Sequence, residues 1–548
     1  MGEWHASVCK VASKKTPWWW ILPSSRIILF YPPVFEPLLF TLGILKLCEN
    51  LPSNDLFLIG CPKEYSYYIR ESKPAFNVIV EQKKISISSK IKEKLAAFKK
   101  IILFIIRFAL LFLKSLKYSL HKPLKKITAK TLVFSYYFGI QNLEKIGDHF
   151  FKDMLYDLPG FKKNDIFYLY FNSSNESQSE QKIKKWMDEK ALSFATIESL
   201  LRLTDCFRIL ARYLLIIYQL RKVRDLIPAV TINGLKSYYF SIYYHQTMIM
   251  DPPLFSELSV YYATRRLFGH LTASSILYPY ESKGIERALL KANHDNDSHC
   301  KTIAYAHAIY NQGISYVRHH HDELVGSLKP DLIVCTGERM KNWFSCWGKV
   351  DPEKLIVIGS SRYLPPLPHN ENSTFRAQAL KVLFLGGLEH ELEKLALLIE
   401  EDPSLFEHCH LMIRSYPHAY KNKQKKQINY IQSLNQNIIE DCRPLMEQIK
   451  DCDVVMMSST SAGVEAMLSG RPLIYIDLHG FIDLDPFANK GDLSPLIRCI
   501  QGSELKEALK KIRNMNQFEY ATFVKNQIYL AEEIFSPPDK TKIAQTLN

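Results

Sequence analysis

The chain has 548 residues, 47% of them hydrophobic, so it is globular and large enough for more than one hydrophobic core. Its formal net charge of +14 indicates an anionic partner, which could be nucleic acid, a phosphate-bearing substrate or an acidic membrane surface. The eleven cysteines include no C-x-x-C pair, which argues against a disulfide-stapled or zinc-finger protein and favours a reduced, cytoplasmic setting.

Residues 1–130 are predicted to form an N-terminal segment of their own. The opening residues lack the continuous apolar core of a secretion signal. The runs RIILFYPP (26–33) and DLFLIGC (55–61) resemble strands, and a helix-like apolar segment lies between them. This order is typical of the start of a βαβ unit.

Residues 92–130 have an apolar centre, Ile101 to Leu113, that contains Arg107 and is too short for the roughly 20 apolar residues of a membrane span. Lysines flank this centre and Glu93 is the nearby acid; they are Lys92, Lys94, Lys99, Lys100, Lys114, Lys117, Lys122, Lys125, Lys126 and Lys130. The pattern predicts a basic amphipathic helix lying on an anionic membrane surface. The alternative is a core helix of an insertion with solvated lysines.

Two series of short apolar runs alternate with helix-length amphipathic segments along the rest of the chain. A Pro- and Asn-rich stretch at 364–379 separates them and is predicted to be a linker between domains 131–363 and 380–548. The predicted strands are 131–137, 164–171, 274–280, 301–307, 331–337 and 354–360 in the first series, and 381–387, 410–417, 437–440, 453–458 and 472–477 in the second.

Strands that are apolar throughout, each followed by a helix, indicate a parallel sheet covered on both faces. The sequence therefore predicts an α/β protein with two Rossmann-like domains facing across a cleft, and a basic helical insertion near the N-terminus. Ligands of such sheets bind beyond the carboxyl ends of the strands, so the cleft is the expected site.

A hydroxyl cluster, Ser458, Ser459, Thr460 and Ser461, stands between a predicted strand and helix in the second domain. Such side chains, with the unpaired N–H groups of a helix start, can bind phosphate. Gly463 permits close approach. Glu465, one turn later, could reach a sugar hydroxyl. A plain capped helix would explain the serines and the glycine, but not four hydroxyls in a row.

Two candidates for a general base follow strands of the first domain. His307 follows KTIAYA, and an imidazole at that position can take a proton from an acceptor hydroxyl. Glu281 follows YPY and is the rival base. Their alternative roles are a histidine bonded to a nearby carbonyl and a glutamate that caps the next helix.

Five further residues are candidates for donor binding. Arg414 and His418 could neutralise a diphosphate leaving group. Gly386 and Gly387 would let backbone approach a ligand, and Arg362 could reach the donor from the hinge; these five residues lie near predicted strand ends. RHHHDE (318–323) contains no complete metal-ligand set, so an exposed loop is predicted there and no metal site.

The segment SSTSAGVEAMLSGRPLIYID (458–477) resembles the donor-binding segment of GT-B glycosyltransferases. In order, YPYESKGIERALLKA, KTIAYAHAIYNQG, KPDLIVCTGERMKNWF and KLIVIGSSRY are similar to GT-B proteins of bacterial capsule and surface-carbohydrate biosynthesis. The resemblance covers roughly residues 131–500. It implies that Glu465 holds the ribose and that Ser459 to Ser461 hold the phosphates of a nucleotide. Many retaining members carry a second glutamate where this chain has Met457, which favours inversion.

The expected function is a glycosyltransferase acting on the inner face of a membrane, inverting and without a metal or other cofactor. Its partners would be a nucleotide-sugar donor and a surface polysaccharide or lipid-linked acceptor, and not nucleic acid, because the basic segment lacks interleaved base-stacking aromatic residues. The alternatives are a nucleotide-sugar epimerase, a CDP-glycerol-type phosphotransferase, and a nonenzymatic membrane-docked binding protein of the same fold.

Overall fold

The structure is a computed structural model that describes about two thirds of the chain. Of the predicted features, the strand 26–33, the histidine run 318–323, His418 and Gly387 lie outside the described residues. The described ranges are 55–59, 77–81, 105–106, 108–117, 119, 126–139, 147–173, 178–222, 230–232, 235–237, 254–281, 283–296, 300–309, 328–367, 379–386, 389–414, 421–478, 485–487 and 496–548.

The first large sheet has seven parallel strands with apolar, almost fully buried residues. From edge to edge its strands are Leu355–Val357, Leu332–Cys335, Lys301–Ala306, Ser275–Pro279, Thr131–Tyr137, Ile166–Asn172 and Ser193–Thr196. Numbered along the chain, the strand order is 3-2-1-4-5-6-7, which extends the Rossmann order by one strand. The switch point lies between Thr131–Tyr137 and Ser275–Pro279.

The second large sheet has six parallel strands in the order 3-2-1-4-5-6. From edge to edge they are Ile438–Glu440, Cys409–Arg414, Leu380–Leu385, Val454–Met457, Leu473–Ile476 and Ile497–Cys499. The switch point lies between Leu380–Leu385 and Val454–Met457. The predicted pair of Rossmann-like domains is therefore confirmed.

Helices connect the strands and cover both sheets. Those of the first domain are Ser179–Lys190, Ile197–Leu200, Leu203–Arg221, Leu254–Phe268, Gly284–His294 and Glu338–Cys346. Those of the second are Glu389–Glu401, Lys421–Leu434, Leu445–Asp451, Ala462–Leu468, Gly502–Asn514 and Gln517–Glu532, and Lys540–Leu547 ends the chain.

Smaller elements complete the described chain. Strands Asp55–Ile59 and Asn77–Glu81 pair in parallel. The sequence predicts a different partner for the first of them, the run 26–33, which lies outside the described residues. Two further small pairs are Ile127–Thr128 with Leu271–Thr272, and Val230–Ile232 with Leu235–Ser237. No helix in the described ranges is both long and apolar enough to cross a membrane.

The C-terminal segment returns to the first domain after helix Gln517–Glu532. The Ser536 N–H donates to the Thr336 carbonyl at 2.9 Å, and the Ser360 N–H donates to the Ser536 carbonyl at 2.9 Å. The Ser275 hydroxyl donates to the Leu547 carbonyl at 2.8 Å, and Ile543 and Leu547 are buried. The end of the chain thus holds the two domains together.

Gly359 makes this crossing possible, and its replacement by Ala should lower the free energy of unfolding by roughly 2–4 kcal/mol. Its φ of +87° is left-handed, and a Cβ would overlap the Pro537 carbonyl oxygen. Gly160→Ala is the matched control, because Gly160 has φ +73° but no atom within 4 Å of its added Cβ in the described part of the chain. Urea unfolding measures the free energy of unfolding of both variants. Equal decreases for Gly359→Ala and Gly160→Ala would contradict the contact between Gly359 and Pro537.

Candidate active site

The candidate residues collect at the carboxyl ends of both sheets, beside the two switch points. Glu281 and His307 follow strands Ser275–Pro279 and Lys301–Ala306 of the first sheet. Gly386, Arg414 and the hydroxyl cluster follow neighbouring strands of the second. Parallel strands end at one edge, so these side chains lie at one edge of each sheet.

Glu281 and His307 form a partly buried pair. The Glu281 Oε1 lies 3.4 Å from His307 Nε2, and the two side chains are 23% and 13% exposed. Lys283 forms an ion pair with the same carboxylate. Burial opposes ionisation of Glu281, but the contact with His307 and the charges of His307 and Lys283 outweigh it and lower its pKa to about 2. Glu281 is therefore an ionised carboxylate that orients the imidazole.

The second imidazole nitrogen of His307, Nδ1, takes no part in the contact with Glu281. His307 Nδ1 is buried and has no hydrogen-bond partner among the described residues. The edge of the Phe150 ring packs on the imidazole, with ring centroids 4.5 Å apart. A buried nitrogen without a partner is costly in a purely structural histidine, whereas a bound hydroxyl would satisfy it.

Glu286 is a buried acid beside this pair, and it caps the helix Gly284–His294. Its Oε2 accepts hydrogen bonds from the Glu281 N–H at 3.0 Å and the Lys283 N–H at 3.2 Å. The Tyr136 hydroxyl lies 3.3 Å from Oε1. Burial and the neighbouring Glu281 carboxylate raise the pKa of Glu286 to about 8. The capping role considered for Glu281 thus belongs to Glu286.

Glu286→Gln should weaken the pH dependence of stability between pH 4.5 and about pH 8. The folded wild type keeps a proton that the unfolded chain has lost, so the free energy of unfolding falls as pH rises through this window, by at most about 1.4 kcal/mol per pH unit. Gln keeps the cap and does not titrate. Thermal melts across the window test this, with Glu504→Gln, an exposed capping glutamate, as control. Equal slopes for Glu286→Gln and the wild type would contradict it.

The segment around Asp148 places Phe150 beside His307. The buried Asp148 carboxylate accepts the N–H groups of Phe150 and Phe151, each at 3.0 Å. Burial raises the pKa of Asp148, while these hydrogen bonds lower it. The Ser361 hydroxyl donates to the Phe150 carbonyl, so the loop also contacts the segment that carries Arg362.

Arg362 and Glu465 form an ion pair across the two domains. The Arg362 Nε donates to Glu465 Oε1 at 2.7 Å, and Nη2 contacts the same oxygen. The side chains are 24% and 12% exposed, and the guanidinium lies 5.0 Å from the Phe535 ring centroid. Burial lowers the pKa of nearby Lys152, whereas the Glu465 charge raises it. The predicted hinge cation and the predicted ribose-binding carboxylate therefore contact each other directly.

The hydroxyl cluster has more internal contacts than the sequence indicates. Ser458 is fully buried, and its hydroxyl has no partner among the described residues. The Ser459 hydroxyl donates to Glu391, and the Thr460 hydroxyl accepts the Ala462 N–H at 3.3 Å. Ser461 is the N-cap residue of helix Ala462–Leu468 and makes no side-chain cap bond. Thr460 and Ser461 are thus the partly exposed hydroxyls without an acidic partner in the described contacts.

Gly463 and Arg414 both contribute to packing. A Cβ on Gly463 would overlap Met457 Sδ, so the glycine lets the helix approach its preceding strand. Arg414 Nη1 donates to the Arg443 carbonyl and to Gln448 Oε1, both at 2.7 Å. Gly386 has room, since its added Cβ would approach the Arg414 carbonyl oxygen no closer than 3.5 Å.

Several solved structures are similar to this chain. UDP-GlcNAc 2-epimerase from Neisseria meningitidis bound to UDP-GlcNAc is 9% identical, with TM-score 0.42 over 76% of this chain and 99% of that chain. MurG from Acinetobacter baumannii is 9% identical, with TM-score 0.40 over 76% and 99%. A glycosyltransferase from Rickettsia africae is 10% identical, with TM-score 0.41 over 77% and 97%. No family model and no curated protein matches the chain.

The class of protein is set by the topology and the site together. Two Rossmann-like sheets face each other through their carboxyl edges, and candidate residues from both lie in the cleft. This is the GT-B arrangement, as the sequence predicts. Among the described residues, no group of three His, Cys, Asp or Glu side chains is placed to hold a metal ion.

Four cleft residues were missed in the sequence: Asp148, Phe150, Lys152 and Glu286. A signal existed for two of them. Gly147-Asp148 has the composition of a turn, and Glu286 lies at the third position of a helix start, where capping glutamates occur. Phe150 and Lys152 carry no local pattern, because their partners are distant in sequence.

Proposed function

We propose that this protein is a glycosyltransferase that moves a sugar from a nucleotide-sugar donor to a surface polysaccharide or lipid-linked acceptor. The supporting observation is the pairing of two half-sites in one cleft. The Glu281–His307 pair provides a base, and Arg362 with Glu465 provides groups for a nucleotide. Phe150 packs on the His307 ring, and its carbonyl accepts the hydroxyl of Ser361, the residue next to Arg362.

The proposed reaction is a single displacement with inversion and without a metal. His307 takes the proton of the acceptor hydroxyl while the oxygen of that hydroxyl bonds to the anomeric carbon of the donor sugar. The bond from that carbon to the donor diphosphate breaks, and the nucleoside diphosphate leaves with the electron pair. Arg362 and Lys152 would stabilise its charge, with Arg414 further along the edge of the second sheet.

Donor recognition is proposed to exchange partners at Glu465. The nucleotide ribose would take over the Glu465 carboxylate from Arg362, and Arg362 would turn to the diphosphate. Thr460 and Ser461 would contact the same phosphates. His418, Gly386 and Gly387 remain proposed donor contacts. The enzyme would act at the cytoplasmic face of a membrane, held there by residues 92–130.

Product analysis with labelled nucleotide sugars tests this proposal. Purified protein is incubated with UDP-, GDP-, CDP- and dTDP-sugars, with and without membrane lipid extract. Acceptor-dependent release of nucleoside diphosphate with label in the lipid or glycan fraction is expected. An epimerised donor formed without acceptor would identify an epimerase. Transfer of glycerol phosphate from CDP-glycerol would identify a phosphotransferase. No turnover with any donor would identify a binding protein.

A further inference from the structure

Two neighbouring helices form one unit at the side of the first domain. Residues 108–117 are helical and pack beside the helix Leu203–Arg221. The Cys206 thiol donates to the Ser115 hydroxyl at 3.0 Å, and the Phe112 and Phe207 rings meet edge to face at 6.1 Å. Asp205 binds Arg266 at 2.6 Å. The pair is therefore fixed to the helix Leu254–Phe268 behind it.

The outer face of this helix pair is apolar and exposed. Nine of its large apolar side chains are 40% to 60% exposed, out of sixteen such exposed side chains among all described residues. They are Ile105, Ile106, Leu110, Leu113 and Leu116 from the first helix, and Phe207, Leu214, Leu215 and Tyr218 from the second. Apolar exposure concentrated in one place marks an interaction surface.

The second helix, Leu203–Arg221, carries apolar residues on two opposite faces. Cys206, Ile209 and Ile216 are fully buried against the domain. Phe207, Leu214, Leu215 and Tyr218 follow the i, i+7, i+8, i+11 spacing of a single opposite face. A soluble helix would carry polar residues there, so this face is suited to an apolar environment.

The rim of the surface is basic. Lys114 and Arg208 are 51% and 63% exposed, and each lies near one less exposed carboxylate, Glu198 at 3.8 Å and Asp205 at 3.4 Å. The Lys222 ammonium lies 4.4 Å from the Tyr218 ring centroid. Asp205, on the same helix, is buried and already paired with arginines. An apolar centre with a cationic rim matches hydrocarbon beneath anionic headgroups. A second copy of the chain would bring lysines against lysines.

We propose that residues 105–117 and the helix Leu203–Arg221 together form a docking surface for an anionic lipid bilayer, which we call the two-helix surface. It extends the basic segment 92–130 with a second helix that the sequence does not single out. The proposal deepens the proposed function by adding a membrane contact to it. Docking is measured without any turnover, so each proposal can fail alone.

Vesicle sedimentation tests the two-helix surface. The full-length protein should sediment with phosphatidylcholine vesicles that contain phosphatidylglycerol and much less with pure phosphatidylcholine. A variant with Phe207→Gln, Leu214→Gln, Leu215→Gln and Tyr218→Gln should lose about 100-fold or more in partition coefficient. Its melting temperature should stay within a few degrees of the wild type, since these side chains are exposed.

The matched control changes four exposed apolar residues elsewhere: Leu397→Gln, Ile500→Gln, Phe518→Gln and Tyr529→Gln. It should bind vesicles as the wild type does. Wild-type binding by the first variant, equal losses in both variants, or no vesicle binding by the wild type would overturn the proposal. A concentration-dependent dimer in sedimentation velocity that only the first variant abolishes would instead assign the surface to a second copy.

Discussion

Replacing His307 by Gln is expected to lower the rate of sugar transfer by roughly 10²–10⁴-fold, the usual contribution of a general base. The amide nitrogen of Gln can keep the contact that His307 Nε2 makes with Glu281, 3.4 Å away, but it cannot accept the acceptor proton. The rate at saturating donor and acceptor is the measurement. Donor binding, followed by thermal shift, should be unchanged because the donor groups lie across the cleft.

The rival assignment, with Glu281 as the base, gives a different pattern. Glu281 is ionised throughout the mildly acidic range because its pKa is about 2. A Glu281 base would therefore give a rate that stays flat from mildly acidic to neutral pH and a larger loss for Glu281→Gln than for His307→Gln. A flat wild-type profile together with a small effect of His307→Gln would contradict the histidine assignment.

The strands were predictable because buried parallel strands are apolar throughout. TLVFSYY matches strand Thr131–Tyr137, and most other predicted strands differ from the observed ones by one to three residues at an end. Ser193–Thr196 and Ile497–Cys499 were missed. Each is a short strand at a sheet edge, the first of four residues and the second of three. So few residues, only partly buried, show too little hydrophobic periodicity to predict a strand.

The positions of the candidate residues were predictable from one rule, whereas their contacts were not. Glu281, His307, Arg414 and the hydroxyl cluster were chosen because they follow strands, and strand ends share an edge. The Arg362–Glu465 pair joins residues 103 positions apart, on two domains. Gly463 shows the same limit, because only the fold reveals that Met457 occupies the space beside it.

The C-terminal crossing illustrates why chain order can mislead. Residues after Glu532 follow the second domain in sequence, yet Ile543 and Leu547 are buried on the first sheet. An amphipathic helix indicates that a core exists but not which core it joins. The close approach of Pro537 to Gly359 is likewise invisible without the fold.

Replacing Glu465 by Gln is expected to weaken nucleotide binding by roughly 10–100-fold, the usual loss for a charge-assisted hydrogen bond. The proposed partner is the ribose, which a nucleoside and its diphosphate share, so both ligands should lose affinity by the same factor. Arg362→Gln should weaken the binding of the diphosphate but not of the nucleoside, because a nucleoside has no negative charge for the guanidinium to bind. Isothermal titration of each variant with the preferred nucleoside and its diphosphate gives the four affinities.

The ion pair itself makes the comparison sharper. Arg362 donates to the Glu465 carboxylate, so a nucleoside has to compete with the guanidinium for that carboxylate. Arg362→Gln should remove this competition and tighten nucleoside binding while it weakens diphosphate binding. Opposite signs for the two ligands would be difficult to produce through general destabilisation of the cleft. Unchanged affinities in Glu465→Gln would reduce the pair to a structural link between domains, and the nucleotide site would then have to lie elsewhere.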